Sequence, residues 1–175
     1  MLDQKRVTEA QSNMRKYLED SLISKISQYK HEILQTYKRN YKDSFEVAEK
    51  LFNENSSSLW VVVTAYYSMY YIANAVIYRN NYKISSKISH KITSDALIVF
   101  VRNKLKKALI EDFENARDAA MDITQTADEI IGSFDKELGK RSEFQYETTE
   151  QIKRASAKTS LERARQFIFE MEKLL

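Results

Sequence analysis

The sequence predicts an all-α fold in a single domain, on three observations. The 175 residues include no proline and only two glycines, the two residue types that helix interiors exclude. Apolar residues recur at intervals of three and four along most of the chain, which is the spacing of amphipathic helices. Hydrophobic residues make up 43% of the chain, enough for a sizeable core, and this length corresponds to one domain.

The N-terminal part is predicted to form two helices, at 2–26 and 28–54, because both segments carry apolar residues at helical spacing. Serines between them favour a break, although one long bent helix fits the same pattern. The polar segment 53–58 is predicted to be a loop, in which a serine caps the next helix.

The segment 59–78 is apolar or aromatic at nearly every position, as expected of a buried central helix. A helical wheel separates an aliphatic face from a tyrosine face. The aliphatic face holds Val61, Ala65, Met69, Ile72 and Val76. The tyrosine face holds Trp60, Tyr66, Tyr67, Tyr70, Tyr71, Asn74 and Tyr78. The length also permits a membrane span, but tyrosines in mid-segment and the lack of a flanking basic cluster favour a chain without one.

The C-terminal half is predicted to begin with a basic connector, 82–90, followed by helices at 89–103 and 104–138. The two glycines mark the frayed end of the second of these helices. A loop at 139–147 leads to a last helix that starts at Thr148, where Gln151 three residues later fits a capping box.

Charge is spread unevenly along the chain. Residues 56–110 carry eight basic side chains and one acidic side chain, a net charge of +7, which predicts a surface for anions. A solvated lysine-rich surface is the alternative. The basic candidates are Arg79, Lys83, Lys87, His90, Lys91, Arg102, Lys104, Lys106 and Lys107.

Several functional classes are excluded or disfavoured by what the sequence lacks. Cysteine is absent, which rules out disulfides and zinc–thiolate sites, and two histidines make a histidine-based metal site unexpected. The chain has neither a phosphate-binding glycine loop nor a nucleophile elbow. We therefore expect no cofactor and no metal. The charged N-terminus shows no signal peptide, so a cytoplasmic location is expected.

Two features remain as candidate binding sites. The tyrosine face with Asn74 is either core and dimer seam or the wall of a cleft that stacks bases. Arg141 and Tyr146 lie in the loop before the last helix, where an arginine next to a helix N-terminus can hold a phosphate. An arginine that pairs with a carboxylate of the bundle is the more common arrangement.

Three stretches together resemble the HEPN domain family. The run 58–60 followed by 65–71 is similar to the signature helix of that family, and so is Ser89-His90-Lys91. The segment 140–146, directly before a final helix, corresponds to the place where the family carries its functional arginine. The resemblance covers about 36–175 and leaves 1–35 as an added N-terminal helical extension.

The resemblance implies an antiparallel, up-and-down bundle of five to six helices that dimerises and forms a cleft at the dimer interface. It also implies nucleotide or RNA binding, at Tyr66, Tyr67, Tyr70, Asn74, Arg79, His90, Arg141 and Tyr146. Many prokaryotic members act beside a minimal nucleotidyltransferase, often as a toxin–antitoxin pair, so such a protein is an expected partner.

The sequence departs from the ribonuclease members of the family, which carry an arginine, four to six residues and then a histidine. Here Tyr146 follows Arg141 after four residues, and a tyrosine with an ordinary pKa near 10 is a poor base at neutral pH. We therefore expect a non-catalytic binding module. Two alternatives stay open: a metal-independent endoribonuclease that uses Arg141 with His90 or Tyr146, and a purely structural helical adaptor.

Overall fold

The structure is a computed structural model that describes residues 2–85, 89–134 and 147–175, without the side chains of 125–134 and 147–152. These ranges contain six α-helices and one small two-stranded sheet, which confirms the predicted all-α bundle. The helices are α1 (Gln4–Glu19), α2 (His31–Asn53), α3 (Ser58–Arg79), α4 (Ser89–Ala96), α5 (Lys107–Phe134) and α6 (Glu147–Glu172). The strands are β1 (Ile23–Lys25) and β2 (Tyr82–Ile84).

Helix α3 is the centre of the bundle and contacts α2, α4, α5 and α6. Its predicted aliphatic face is confirmed as core, since Val61, Ala65, Met69, Ile72 and Val76 are at most 1% exposed. The predicted serine cap is also present, because the Ser57 hydroxyl accepts a hydrogen bond from the backbone N–H of Trp60. An apolar helix placed here buries both its core face and much of its tyrosine face.

The tyrosine face of α3 is not one environment. Trp60, near its N-terminus, is 60% exposed, whereas Tyr78, near its C-terminus, is buried. The Tyr78 hydroxyl bonds to the backbone of Lys30, and its ring packs against Tyr29 and Tyr37. Because the segment before α2 covers this end, the accessible tyrosines lie in the middle of the helix.

Within the described ranges, α3 is the one helix that is long and apolar enough to cross a membrane by length and composition. In its most apolar 18-residue window, 72% of the residues are buried inside the bundle. The core helix of a helical bundle meets the same criterion, so this finding is weak evidence for a membrane span.

The prediction of a helix over 2–26, and the alternative of one long bent helix, are wrong. Helix α1 ends at Glu19, and Ser21 adopts a left-handed conformation with φ of 57° that turns the chain away from the helix. The chain then forms β1, which pairs antiparallel with β2 so that Ile23 faces Ile84. The predicted connector 82–90 therefore begins with a strand.

The helix predicted over 89–103 changes its winding part-way. Helix α4 ends at Ala96 and continues as a π-helical turn, Leu97–Val101, and a 3₁₀ turn, Arg102–Lys104. The π-helical turn packs between α1 and α3 and buries Leu97, Ile98 and Val101. Helix α5 consequently starts at Lys107 rather than at 104.

The last two helices have bounds that differ from the predicted ones by a few residues. Helix α5 includes Gly132 and is described as far as Phe134, whereas Gly139 lies outside the described residues, so the prediction of a frayed end there stays a prediction. Helix α6 starts at Glu147, one residue before the predicted Thr148. The side chains of the proposed capping box lie outside the described part of the chain, and so do residues 139–146 of the loop predicted over 139–147.

Helix α1 packs on the outside of the bundle, against α4 and the π-helical turn. Leu2, Val7 and Ala10 bury themselves against Ile98 and Ile110. The C-terminal part of α1 adds Met14 and Tyr17 to the main core. The N-terminal helix is thus joined to the rest of the fold by apolar burial along its whole length.

Candidate functional site

His90 lies in the first turn of α4 and is surrounded by tyrosine rings of α3. Its Nδ1 is 2.8 Å from the hydroxyl oxygen of Tyr66. The imidazole centroid lies 5.6 Å from the ring centroid of Tyr66, 5.7 Å from that of Tyr67 and 4.6 Å from that of Tyr70. Tyr71 extends the group, with its ring 5.5 Å from that of Tyr70. We call these five residues the His90–tyrosine cluster.

The sequence spacing explains why four tyrosines meet on one side of α3. Residues four apart are neighbours on a helix surface, so Tyr66 lies beside Tyr70 and Tyr67 beside Tyr71. The ring centroids of these two pairs are 6.3 Å and 6.0 Å apart. Tyr66 is fully buried, and the other three rings are partly exposed. The cluster therefore has a buried end and an accessible aromatic surface.

Asn74 fixes α4 against α3 and so places the histidine. Its side chain is buried, and Nδ2 donates hydrogen bonds to the backbone oxygen of Tyr70, at 2.8 Å, and to Thr93 Oγ1, at 3.2 Å. The Thr93 hydroxyl in turn donates to the backbone oxygen of Ser89. Both amide hydrogens of Asn74 are thus used inside the fold, where they hold α4, and with it His90, against α3.

Three groups of the cluster, Tyr66, Tyr67 and His90, have pKa values that favour the neutral form at pH 7. Burial raises the pKa of Tyr66 far above its ordinary value of 10, and burial also raises that of Tyr67. The pKa of His90 is lowered from its ordinary 6.5, first by burial and second by the positive charge of Arg117. Tyr66 and Tyr67 are thus neutral phenols at pH 7, and His90 is a neutral imidazole.

Arg117, on α5, is a charged residue whose influence on this site the sequence pattern does not predict. Its positive charge lowers the pKa of His90 and acts in the same direction on that of Tyr66. The side chain is 19% exposed and pairs with the mostly exposed Asp118 at 2.6 Å. In the sequence it lies in an acidic stretch, so only the packing of α5 against α3 and α4 reveals it.

The remaining predicted site residues are not brought to the cluster by the described structure. Arg79 is exposed at the C-terminal end of α3, nine residues after Tyr70, which corresponds to about 14 Å along the helix axis. Arg141 and Tyr146 lie outside the described residues, so their role stays a prediction. The structure does bring together Tyr66, Tyr67, Tyr70 and His90.

The predicted basic surface is largely accessible. Lys91 follows His90 directly and is exposed, and Lys83 is exposed on β2. Lys104 and Lys106 are exposed on the segment that leads into α5. Lys87 lies outside the described residues. The middle of the chain therefore carries positive charge at the surface, close in sequence to the cluster.

A second polar group joins α1 to α4 and α5. Asp95 is fully buried, and its Oδ1 lies 2.6 Å from Arg6 Nη2, an ion pair without standard hydrogen-bond geometry. Its Oδ2 accepts hydrogen bonds from Asn13 and from the hydroxyl of Tyr17. Arg6 also binds Glu114 through Nε and Nη2, at 3.0 and 2.7 Å. Burial followed by the charge of Asp95 raises the pKa of Tyr17 to about 12.

A cavity of about 370 Å³ opens beside this polar group, on the surface between α1 and α5. Its wall contains both acidic and basic side chains and is formed by Arg6, Glu111, Glu114, Asn115, Arg117 and Asp118. Among the residues whose side chains are described, no group of three or more metal-ligating side chains is arranged to hold a metal ion. The His90–tyrosine cluster is therefore the better candidate for a functional site.

The chain matches no family model, no curated protein and no solved structure. The resemblance to HEPN domains accordingly stays a prediction.

Proposed function

We propose that this chain is a non-catalytic, dimeric HEPN-type protein that binds a nucleotide or RNA at the His90–tyrosine cluster. It would act with a minimal nucleotidyltransferase, as in a toxin–antitoxin pair. The observation that carries the proposal is the combination of partly exposed tyrosine rings, a neutral His90 and the nearby charge of Arg117.

Aromatic stacking supports a ligand with a base. The rings of Tyr67, Tyr70 and Tyr71 are within 6.1 Å of one another and partly exposed. Each base stacked on such a ring stabilises a complex by roughly 1–3 kcal/mol, with little dependence on which base it is. Partly exposed aromatic rings of this kind therefore fit the flat face of a nucleobase.

The charge next to the cluster supports a phosphate on the same ligand. Arg117 presents a guanidinium, which matches the geometry of phosphate oxygens. Lys91 is exposed beside His90, and residues 56–110 as a whole carry a net charge of +7. Such surfaces attract polyanions and bind them in a salt-dependent manner.

Exposed apolar side chains support the protein partners in the proposal. Leu59 and Trp60, at the start of α3, are 41% and 60% exposed. Aromatic residues of this kind are enriched in the centre of protein interfaces. Light scattering on the purified chain tests the dimer: Trp60→Ser should lower the dimer fraction, whereas Phe169→Ser, with a 60% exposed ring on α6, should not. A monomeric wild-type chain would contradict this part of the proposal.

Titration of the protein with ATP and with a short single-stranded RNA tests the binding site. We expect saturable binding that weakens about tenfold in Tyr70→Ala, through the loss of one stacking ring. The matched control is Tyr29→Ala, which removes an exposed tyrosine outside the cluster. Arg117→Ala should weaken binding and lower its salt dependence, whereas Arg165→Ala changes the net charge equally on the exposed face of α6. If neither ligand binds, a structural adaptor becomes the better description.

A second candidate function is a metal-independent endoribonuclease that uses Arg141 with His90 or Tyr146. It is favoured by one observation, the lowered pKa of His90, because a neutral imidazole at pH 7 is what a general base requires. Incubation of the purified chain with total RNA in EDTA decides between the two. Cleavage that disappears in both Arg141→Ala and His90→Gln would support the ribonuclease, and intact RNA would eliminate it.

A further inference from the structure

We infer that Tyr66 fixes the tautomer of His90, so that Nε2–H is a hydrogen-bond donor for an anionic phosphate oxygen and not a general base. The assignment of the tautomer stands on the structure of the free protein. The assignment of phosphate as the ligand group rests on the proposed function, which it deepens. Tyr66 is in this view a positioning residue that acts through His90.

The direction of the hydrogen bond follows from the burial of Tyr66. Its side chain is fully buried, and its hydroxyl has one hydrogen-bond partner within the described part of the chain, Nδ1 of His90 at 2.8 Å. If Nδ1–H donated to the hydroxyl oxygen, the phenolic proton would be buried without an acceptor. Leaving a buried donor unsatisfied costs about 1–3 kcal/mol. The O–H of Tyr66 therefore donates to Nδ1.

The protonation of the other ring nitrogen follows from this direction. A neutral imidazole has one N–H, and if Nδ1 accepts a hydrogen bond, the proton resides on Nε2. Burial and the charge of Arg117 both favour the neutral ring. His90 makes no hydrogen bond through Nε2 to a described residue, and its ring is partly exposed, so this donor is available to a ligand.

The groups that face His90 determine which acceptor fits. From α3 they are the aromatic rings of Tyr66, Tyr67 and Tyr70. The positive charge of Arg117 on α5, which pairs with the mostly exposed Asp118, also acts on the ring. On α4 itself, Lys91 is the adjacent charged residue and is exposed. A neutral donor in neutral to positive surroundings favours an anionic oxygen, and a phosphate is the anionic part of the proposed ligand.

Nitrogen-15 NMR of the imidazole rings tests the tautomer without any ligand. The chain has two histidines, so the His31→Gln background leaves the signals of His90 alone. We expect a pyridine-type shift at Nδ1 and a pyrrole-type shift at Nε2 near pH 7.5. Tyr66→Phe should move both shifts toward the average of the two tautomers. Tyr78→Phe removes another buried hydroxyl of the same helix and should leave them unchanged. A pyrrole-type Nδ1 in the background protein would overturn the inference, whether or not Tyr66→Phe folds.

Calorimetric titration with AMP and with adenosine tests the phosphate. We expect AMP to bind at least about tenfold more tightly than adenosine, and His90→Gln to reduce that advantage several-fold, since hydrogen bonds to charged groups have this magnitude. Equal affinities for the two ligands would overturn the phosphate assignment. If neither AMP nor adenosine binds, the phosphate assignment fails, whereas the titration with ATP and RNA decides the proposed function and the NMR result decides the tautomer.

Discussion

Asp95 offers the sharpest test of how the N-terminal helix is held. The change Asp95→Asn keeps the size of the side chain but removes the buried charge that faces Arg6 at 2.6 Å. It also replaces one of the two carboxylate oxygens by an amide nitrogen, next to donors from Asn13 and Tyr17. The substitution thus removes an acceptor from a buried site that is filled with donors.

The magnitude follows from what remains after the change. Breaking a buried ion pair by removing one partner costs about 3–5 kcal/mol when the other charge is left alone. Here Arg6 keeps its two hydrogen bonds to Glu114, so the lower end of that range applies. We expect Asp95→Asn to lower the free energy of unfolding by about 3 kcal/mol. For a chain of this length this corresponds to a decrease in Tm of roughly 6–12 °C.

Urea unfolding followed by circular dichroism measures this loss. The matched control is Glu49→Gln, which removes the partner of Arg165 from an exposed ion pair of 2.7 Å and should cost less than about 1 kcal/mol. The double variant Arg6→Met with Asp95→Asn should cost less than the sum of the single changes. If Asp95→Asn costs no more than Glu49→Gln, the reasoning about this buried pair is refuted.

Three further predictions concern the core and the histidine. The pKa of His90 in the folded chain lies below its value of 6.5 in the unfolded chain, so the free energy of unfolding should fall as the pH decreases from 6.5 to the folded pKa. The slope is at most about 1.4 kcal/mol per pH unit, and His90→Gln should reduce it, as measured by urea unfolding at a series of pH values. Tyr41→Phe removes a 2.7 Å hydrogen bond from α2 to Glu172 and should cost about 1 kcal/mol in urea unfolding. Ala164→Leu overfills a fully buried site and should cost about 1–3 kcal/mol by the same assay, whereas Ala155→Leu, exposed on the same helix, should be nearly neutral.

The central helix could be predicted because its signal is local. Val61, Met69 and Val76 lie on one face whatever surrounds the helix, and the absence of charge from 59–78 requires that the face be buried. The same wheel could not separate Trp60 from Tyr78, since exposure at the two ends of α3 depends on which other segment lies across them.

The short strands and the π-helical turn could not be predicted for a different reason. Ile23–Lys25 and Tyr82–Ile84 are three residues each, too short to show alternation, and each forms a strand only because the other is there. The π-helical turn shares its residue spacing with an ordinary helix over so short a length. In each case the local backbone conformation depends on contacts with parts of the chain that are distant in sequence.

For the candidate site, the sequence identified the types of residue but not their connections. The sequence pattern predicts both His90 and Tyr66 as binding residues. It does not predict their hydrogen bond, which joins positions 24 residues apart on different helices. The sequence pattern does not indicate Arg117 as a site residue, because its sequence neighbours are mainly acidic. The charge of Arg117 acts on the pKa of His90 only because α5 packs against α3 and α4 in the folded chain.

The pairing of β1 with β2 has a consequence for how the molecule opens. The two strands flank α2 and α3, so that their ladder, extended by the bonds from Ile26 N to Asn81 O and from Ser85 N to Leu22 O, closes the open end of the helical hairpin. The hairpin cannot splay apart without breaking this closure. We expect amide hydrogens of the ladder to exchange together with those of α2 and α3, as one cooperative unit. The exchange rates of the amides in these two three-residue strands should therefore measure how often the hairpin of α2 and α3, which carries the tyrosines, opens.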